Sequence, residues 1–171
     1  HLENAERLAN ELGCEAGTGW EGVVDRNYID AVLVLTPPNT HADISISAIK
    51  AGKHVLCEKP LSRTVREAED MIQAARDNGV ILKCAFNHRH HPAIWEAKRL
   101  IDKGNIGKPI FARCSYGICG RPEYEKEWRA DPTRAAGGQF LEQGIHAIDL
   151  FRWFLGEIIE VASMTGVQYF K

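Results

Sequence analysis

The chain has 171 residues, 44% of them hydrophobic and 26% charged, with a formal net charge of -2. That is an ordinary globular composition, long enough for one domain or parts of two, with no electrostatic footprint for nucleic acid or an anionic membrane. No apolar run approaches the roughly 18 residues of a membrane span. The cysteines Cys14, Cys57, Cys84, Cys114 and Cys119 are odd in number and form no CxxC pair, so free thiols in a reducing cytoplasm are expected.

The opening "HLENAERLANELG" sets Ala5, Leu8, Ala9 and Leu12 at helical spacing, with Gly13 as a C-cap. No initiator Met precedes it, and the chain is expected to be an internal piece of a longer protein. Next comes "GTGWEG", Gly17 to Gly22, which fits the G-x-G-x-x-G turn that cradles dinucleotide phosphates. A working copy follows a buried strand and opens a helix within a βαβ unit. Here only "CEA" separates Gly17 from the preceding helix, and no full crossover helix fits before Asp30. The spacing predicts a surface loop with a short helical turn. The match is an accident.

Three apolar runs then read as strands: Ala31 to Leu35, His54 to Cys57, and Val80 to Phe86. Their hydrophobicity is continuous rather than alternating, which predicts parallel strands covered on both faces. Helices are expected between them, from His41 to Ala51 and from Thr64 to Asn78. The second opens with a Thr64-x-x-Glu67 capping box and turns Val65, Ala68, Met71, Ile72 and Ala75 inward. This alternation predicts a doubly wound α/β sheet over residues 1–86.

After Asn87 the texture changes, and residues 87–171 are expected to form part of a second α/β domain. A helix from about Pro92 carries Ile94, Ala97, Leu100 and Ile101 on one face and ends at Gly104. A long strand is expected from Lys108 to about Ile118, then a charged, proline-containing loop to Gly138. A helix follows from Gln139, and a closing strand across "IIEVASMTGVQYF".

Ligands of doubly wound sheets bind beyond the carboxyl ends of the strands. The first strand runs into "TPPNTH", either a stiff connection or a cofactor contact. The second runs into "CEKPLS", where Glu58 and Lys59 follow a buried strand; they could cap it as an ion pair, or hold an ammonium where an oxygen develops charge. Proline at position 60 permits a cis peptide. On the helix from Gln139, Glu142, His146, Asp149 and Trp153 share one stripe of a largely apolar surface. Glu and His one turn apart, with a lysine near, point to proton transfer. "HRHH", His88 to His91, is a weak metal candidate, since adjacent histidines diverge and no matching ligand set accompanies them. Cys57, at a strand end without a glycine-lined elbow, reads as core rather than nucleophile.

"DAVLVLTPPNTH", "AGKHVLCEKPLS" and "GGQFLEQGIHAIDL", with "WRADP" between the last two, resemble the Gfo/Idh/MocA oxidoreductases. The resemblance covers nearly the whole chain. It implies a Rossmann domain for NAD or NADP over residues 1–86, followed by an α/β domain with a large open, mostly antiparallel sheet. It also implies hydride transfer between nicotinamide and a carbinol carbon of a sugar, cyclitol or related polyol, in a cytoplasmic homo-oligomer. Lys59 and His146 would match the family's catalytic lysine and histidine. Glu142 stands where the family usually has Asp, and could orient one of them. Thr36, Pro37, Asn39, His41, Glu58, Lys59 and Pro60 fall where the family lines its nicotinamide pocket, with Trp128 and Arg129 joining them. No metal site is implied. The family's glycine turn would lie before His1, and further strands after Lys171. The rival readings are a non-catalytic nucleotide- or sugar-binding module and a metal-dependent hydrolase built on HRHH.

Overall fold

The computed structural model describes residues 2–117, 122–164 and 166. Cys119 and the outer ends of the two strands expected after residue 107 lie outside them. The described chain begins with helix α1 (Leu2–Leu12) and the single turn α2 (Glu21–Val24), followed by a β-α-β-α-β unit. Its strands are β1 (Ala31–Val34), β2 (His54–Glu58) and β3 (Leu82–Ala85), and its crossover helices are α3 (His41–Lys50) and α4 (Val65–Asp77). The sheet is parallel in the order β1-β2-β3, with Val34 beside Cys57 and Cys57 beside Cys84.

Among the described residues the expected cover is present on one face only. Parallel neighbours are joined by right-handed crossovers. Two such steps in the same direction put α3 and α4 on the same side. There Val34, Val55 and Cys57 pack against Ile44, Ala48, Ile49, Met71 and Ala75. On the opposite face Leu33 is 61% exposed. Full burial of Ile49 and Met71 contributes about 1.5–3 kcal/mol each, so this face anchors the unit.

Helix α4 forms as its ends dictate. Glu67 N–H donates to Thr64 Oγ1 (3.1 Å) and Thr64 N–H to Glu67 Oε2 (3.2 Å), the expected capping box. At the other end Gly79 takes φ +64° and Val80 N–H reaches Ala75 O, a Schellman closure. Met71 and Ala75 are buried, but Val65 and Ile72, expected inward, are exposed. At about 100° per residue they lie roughly 100–120° round the helix from Met71, beyond the arc that meets the sheet.

The Gly17–Gly22 stretch follows helix α1 and leads only into the one-turn α2. Among the described residues no strand precedes it. It lacks the setting of a phosphate turn.

Beyond β3, a 3-10 turn (Asn87–His90) leads into α5 (Pro92–Asp102), whose first turn is capped by His91 Nδ1 accepting from Ala93 N–H. Residues 108–117 and 157–164 carry no regular secondary structure, in contrast to the strands expected there. A strand exists only through a ladder with a neighbour, and among the described residues none pairs with either segment. Their side chains stand in the open, Ile110 at 95% and Ile159 at 99% exposure. The expected helix from Gln139 begins as a π-turn (Phe140–Gly144) and continues as α6 (Ile145–Leu155).

Candidate active site

Strand β2 delivers Glu58 and Lys59 to the carboxyl edge of the sheet, and the Lys59–Pro60 peptide is cis. Lys59 N–H donates to Glu58 Oε2 at 3.0 Å. The lysine side chain crosses to the π-turn, where Nζ donates to the Glu142 carbonyl at 2.5 Å and lies 3.7 Å from Glu142 Oε2. Two residues 83 positions apart are thus brought together. π-turns inside helices are frequent at functional sites, and this one carries the carboxylate that faces Lys59.

Glu142 is 3% exposed. Oε2 sits between Lys59 and Arg129, the latter at 3.8 Å, and Oε1 has no protein partner. One turn on, His146 is 5% exposed and its Nδ1 likewise lacks a partner. Burial pushes the His146 imidazole down to about 4, helped by the nearby positive charge of His88 and Lys59 and opposed by Asp149. The ring is therefore neutral at physiological pH and able to accept a proton. Asp149, also buried, accepts a bidentate pair from Arg89, Nε to Oδ2 at 2.7 Å and NH2 to Oδ1 at 2.6 Å.

The buried residues of this helix are Glu142, His146 and Asp149. The polar stripe, rather than the apolar circumference, faces inward. Phe140 and Leu155 are exposed, while Trp153 is half-buried and packs edge-on against Trp95.

The other expected positions divide. Thr36, Pro37 and Asn39 form the turn leaving β1, where Thr36 Oγ1 accepts from Thr40 and Asn39 Oδ1 is buried without a partner. Arg129 stacks on Trp128 beside Glu142. His41 opens α3. It is fully buried, with Nδ1 2.8 Å from Pro60 O and Nε2 2.7 Å from Thr36 O. The ring sits between the two strand-end turns and ties them together.

Burial raises the Cys57 thiol to about 11 and the Cys84 thiol to about 12, which leaves both unreactive. Among the described residues no three His, Cys, Asp or Glu side chains are grouped to hold a metal. The HRHH run is used differently. His88 stacks on His146, and Arg89 holds Asp149. Sequence reasoning missed both. A buried Asp demands a cationic partner, but nothing in the spacing names Arg89.

A family model described as "oxidoreductase family, NAD-binding Rossmann fold" matches residues 1–86, and one for the GFO/IDH/MocA C-terminal domain matches residues 94–170. The chain belongs to the Gfo/Idh/MocA oxidoreductase family. It is 36% identical to levoglucosan dehydrogenase of Pseudarthrobacter phenanthrenivorans, over 95% of this chain and 42% of that protein. It is also 36% identical to the NAD(+)-dependent scyllo-inositol 2-dehydrogenase of Bacillus subtilis, over 95% of this chain and 45% of that one. The solved levoglucosan dehydrogenase complex with NADH and levoglucosan superposes with a TM-score of 0.80 at 32% identity, covering 92% of this chain and 43% of that one. The chain therefore spans less than half the length of these Gfo/Idh/MocA relatives. No helix among the described residues is long and apolar enough to cross a membrane.

Proposed function

We propose that this chain forms the nicotinamide side of an NAD- or NADP-dependent oxidoreductase that acts on a carbinol carbon of a sugar, cyclitol or related polyol. The observation that carries the reading is the half-buried Lys59 paired with a buried Glu142 at the sheet's carboxyl edge, beside a neutral, buried His146. Glu142 Oε1 and His146 Nδ1 lack partners, and buried polar atoms without partners are costly. Hydroxyls of a polyol substrate entering beside Lys59 would satisfy them, one donor for each atom.

The residues present fit the nicotinamide end of such a cofactor. Thr36, Pro37 and Asn39 with Glu58, Lys59 and Pro60 make a platform at two adjacent strand ends, and Trp128 and Arg129 extend it. The bound nicotinamide would supply hydride acceptance at C4. In the oxidation direction His146 takes the hydroxyl proton as the C–H hydride leaves and the C–O bond becomes a carbonyl. Lys59 holds the oxygen and stabilises its developing negative charge. Glu142 orients Lys59.

The chain divides near Phe86–Asn87 into a Rossmann part and the first part of a second α/β domain with an open, mostly antiparallel sheet. The whole protein is a cytoplasmic homo-oligomer. Assaying the whole protein with NAD and NADP against a panel of sugars and cyclitols tests the activity. Turnover with none of them, together with tight NADH binding by fluorescence, would favour a non-catalytic module.

A further inference from the structure

The proposed chemistry leaves the HRHH segment without a role, yet its first residue lies against the candidate base. The His88 ring is parallel to that of His146, with centroids 3.9 Å apart and planes 14° from each other. The His88 ring also packs against Tyr116 in a T-shaped pair, with centroids 6.0 Å apart and planes at 70°. On another side of His146, Phe86 presents its ring edge-on at 6.3 Å and 83°. The imidazole is thus held by one parallel and one perpendicular ring, both from the segment leaving β3. Neither is on its own helix. The adjacent Arg89 anchors the same turn to α6 through Asp149.

Stacking of two imidazoles at this spacing has an electrostatic consequence. Like charges in a poorly solvated site repel strongly, so the stack is compatible with at most one charged ring. The groups facing His146 are Lys59 from the end of β2, His88 from the turn after β3, and Asp149 from its own helix. Glu142 lies one turn back with Arg129 against it, and Arg89 engages Asp149. His146 is the more deeply buried ring of the pair and the one nearer Lys59's influence.

We propose that His88 is a positioning residue for His146: its stacked ring fixes the plane of the candidate base and keeps a second charge out of the pair. The inference rests on reading His146 as the proton acceptor. It assigns His88 no contact with substrate or cofactor.

The test compares His88→Phe, which keeps a stacked ring without a charge, with His88→Ala, which removes both. In the whole protein with 13C- and 15N-labelled histidine, the His146 titration is assigned by its loss in His146→Gln. In both variants its midpoint rises from about 4 toward the ordinary imidazole value, because removing the His88 charge removes one cause of the depression. His88→Ala lowers kcat for polyol oxidation about tenfold or more, with KM within about threefold, as expected when a reacting group loses its orientation. His88→Phe retains a larger share of kcat, and the acid limb of its pH profile moves to higher pH.

A His146 midpoint unchanged in His88→Phe overturns the proposal, as does a His88→Ala kcat equal to the parent's. Full turnover in His146→Gln would sink the functional reading instead, and the titration then decides the stacking inference by itself. If His88→Ala fails to fold, His88→Phe carries both measurements.

Discussion

The two halves of the molecule bury opposite kinds of side chain. Between the sheet and helices α3 and α4, the interior is Ile44, Ala48, Ile49, Val55 and Met71. Along the π-turn and α6, it is Glu142, His146 and Asp149. Apolar burial is non-directional and stabilises in proportion to area. Polar burial costs free energy unless each atom finds a partner, so it persists where something else selects it. Asp149 finds Arg89. Glu142 and His146 each keep one atom unpaired, which is why the second interior reads as a site and the first as a foundation.

The sharpest way to break this contrast is to cut each interior separately. Ile49→Ala should cost about 2–5 kcal/mol of stability, the range for truncating a fully buried aliphatic side chain. Denaturant unfolding of the whole protein checks this, and kcat of the folded fraction should be unaltered. A loss of activity without loss of stability would show that the apolar interior is tuned for the site as well.

Lys59→Ala should do the reverse. Removing a donor aimed at a developing oxyanion costs about 10²–10³-fold in kcat, while cofactor affinity by nicotinamide fluorescence changes little. Equal losses in both would recast Lys59 as a binding residue.

The pH dependence follows from His146, whose folded value is depressed to about 4 from an ordinary 6.5. Below about pH 6.5 the unfolded chain binds this proton and the folded one does not. Stability is therefore full above that pH and falls progressively on acidification toward pH 4. The oxidation rate should hold to the same lower bound, since the neutral ring is the proton acceptor. In His146→Gln the share of the stability slope between pH 6.5 and 4 that belongs to this group disappears. Thermal melts across that window, parent against variant, measure it, and an identical slope in the two would refute the assignment.

The smallest effect belongs to the sheet's open face. Leu33→Ser should stay within about 0.5 kcal/mol, as surface substitutions do, given that Leu33 is 61% exposed. A larger loss in the whole protein would reveal cover on this face.

The sequence by itself determined whatever depends on local chemistry. Thr64 and Glu67 cap α4, Gly13 and Gly79 end α1 and α4, and the apolar runs become strands. It also exposed Gly17–Gly22 as a false phosphate turn, because a motif works only in its own setting. The stripe of Glu142, His146 and Asp149 was legible too, since helical periodicity fixes which residues share a face. Tertiary structure alone decided what that stripe meets: Lys59 at Glu142, Arg89 at Asp149, and His88 on His146. It decided that His41 is a tie between two turns, since two backbone carbonyls converge on its ring. It decided which sheet face is covered, through the shared direction of two crossovers. Local signals fix a residue's neighbours along the chain. Partners 60 and 83 positions away are set by how the elements pack, and no spacing rule in the sequence carries that information.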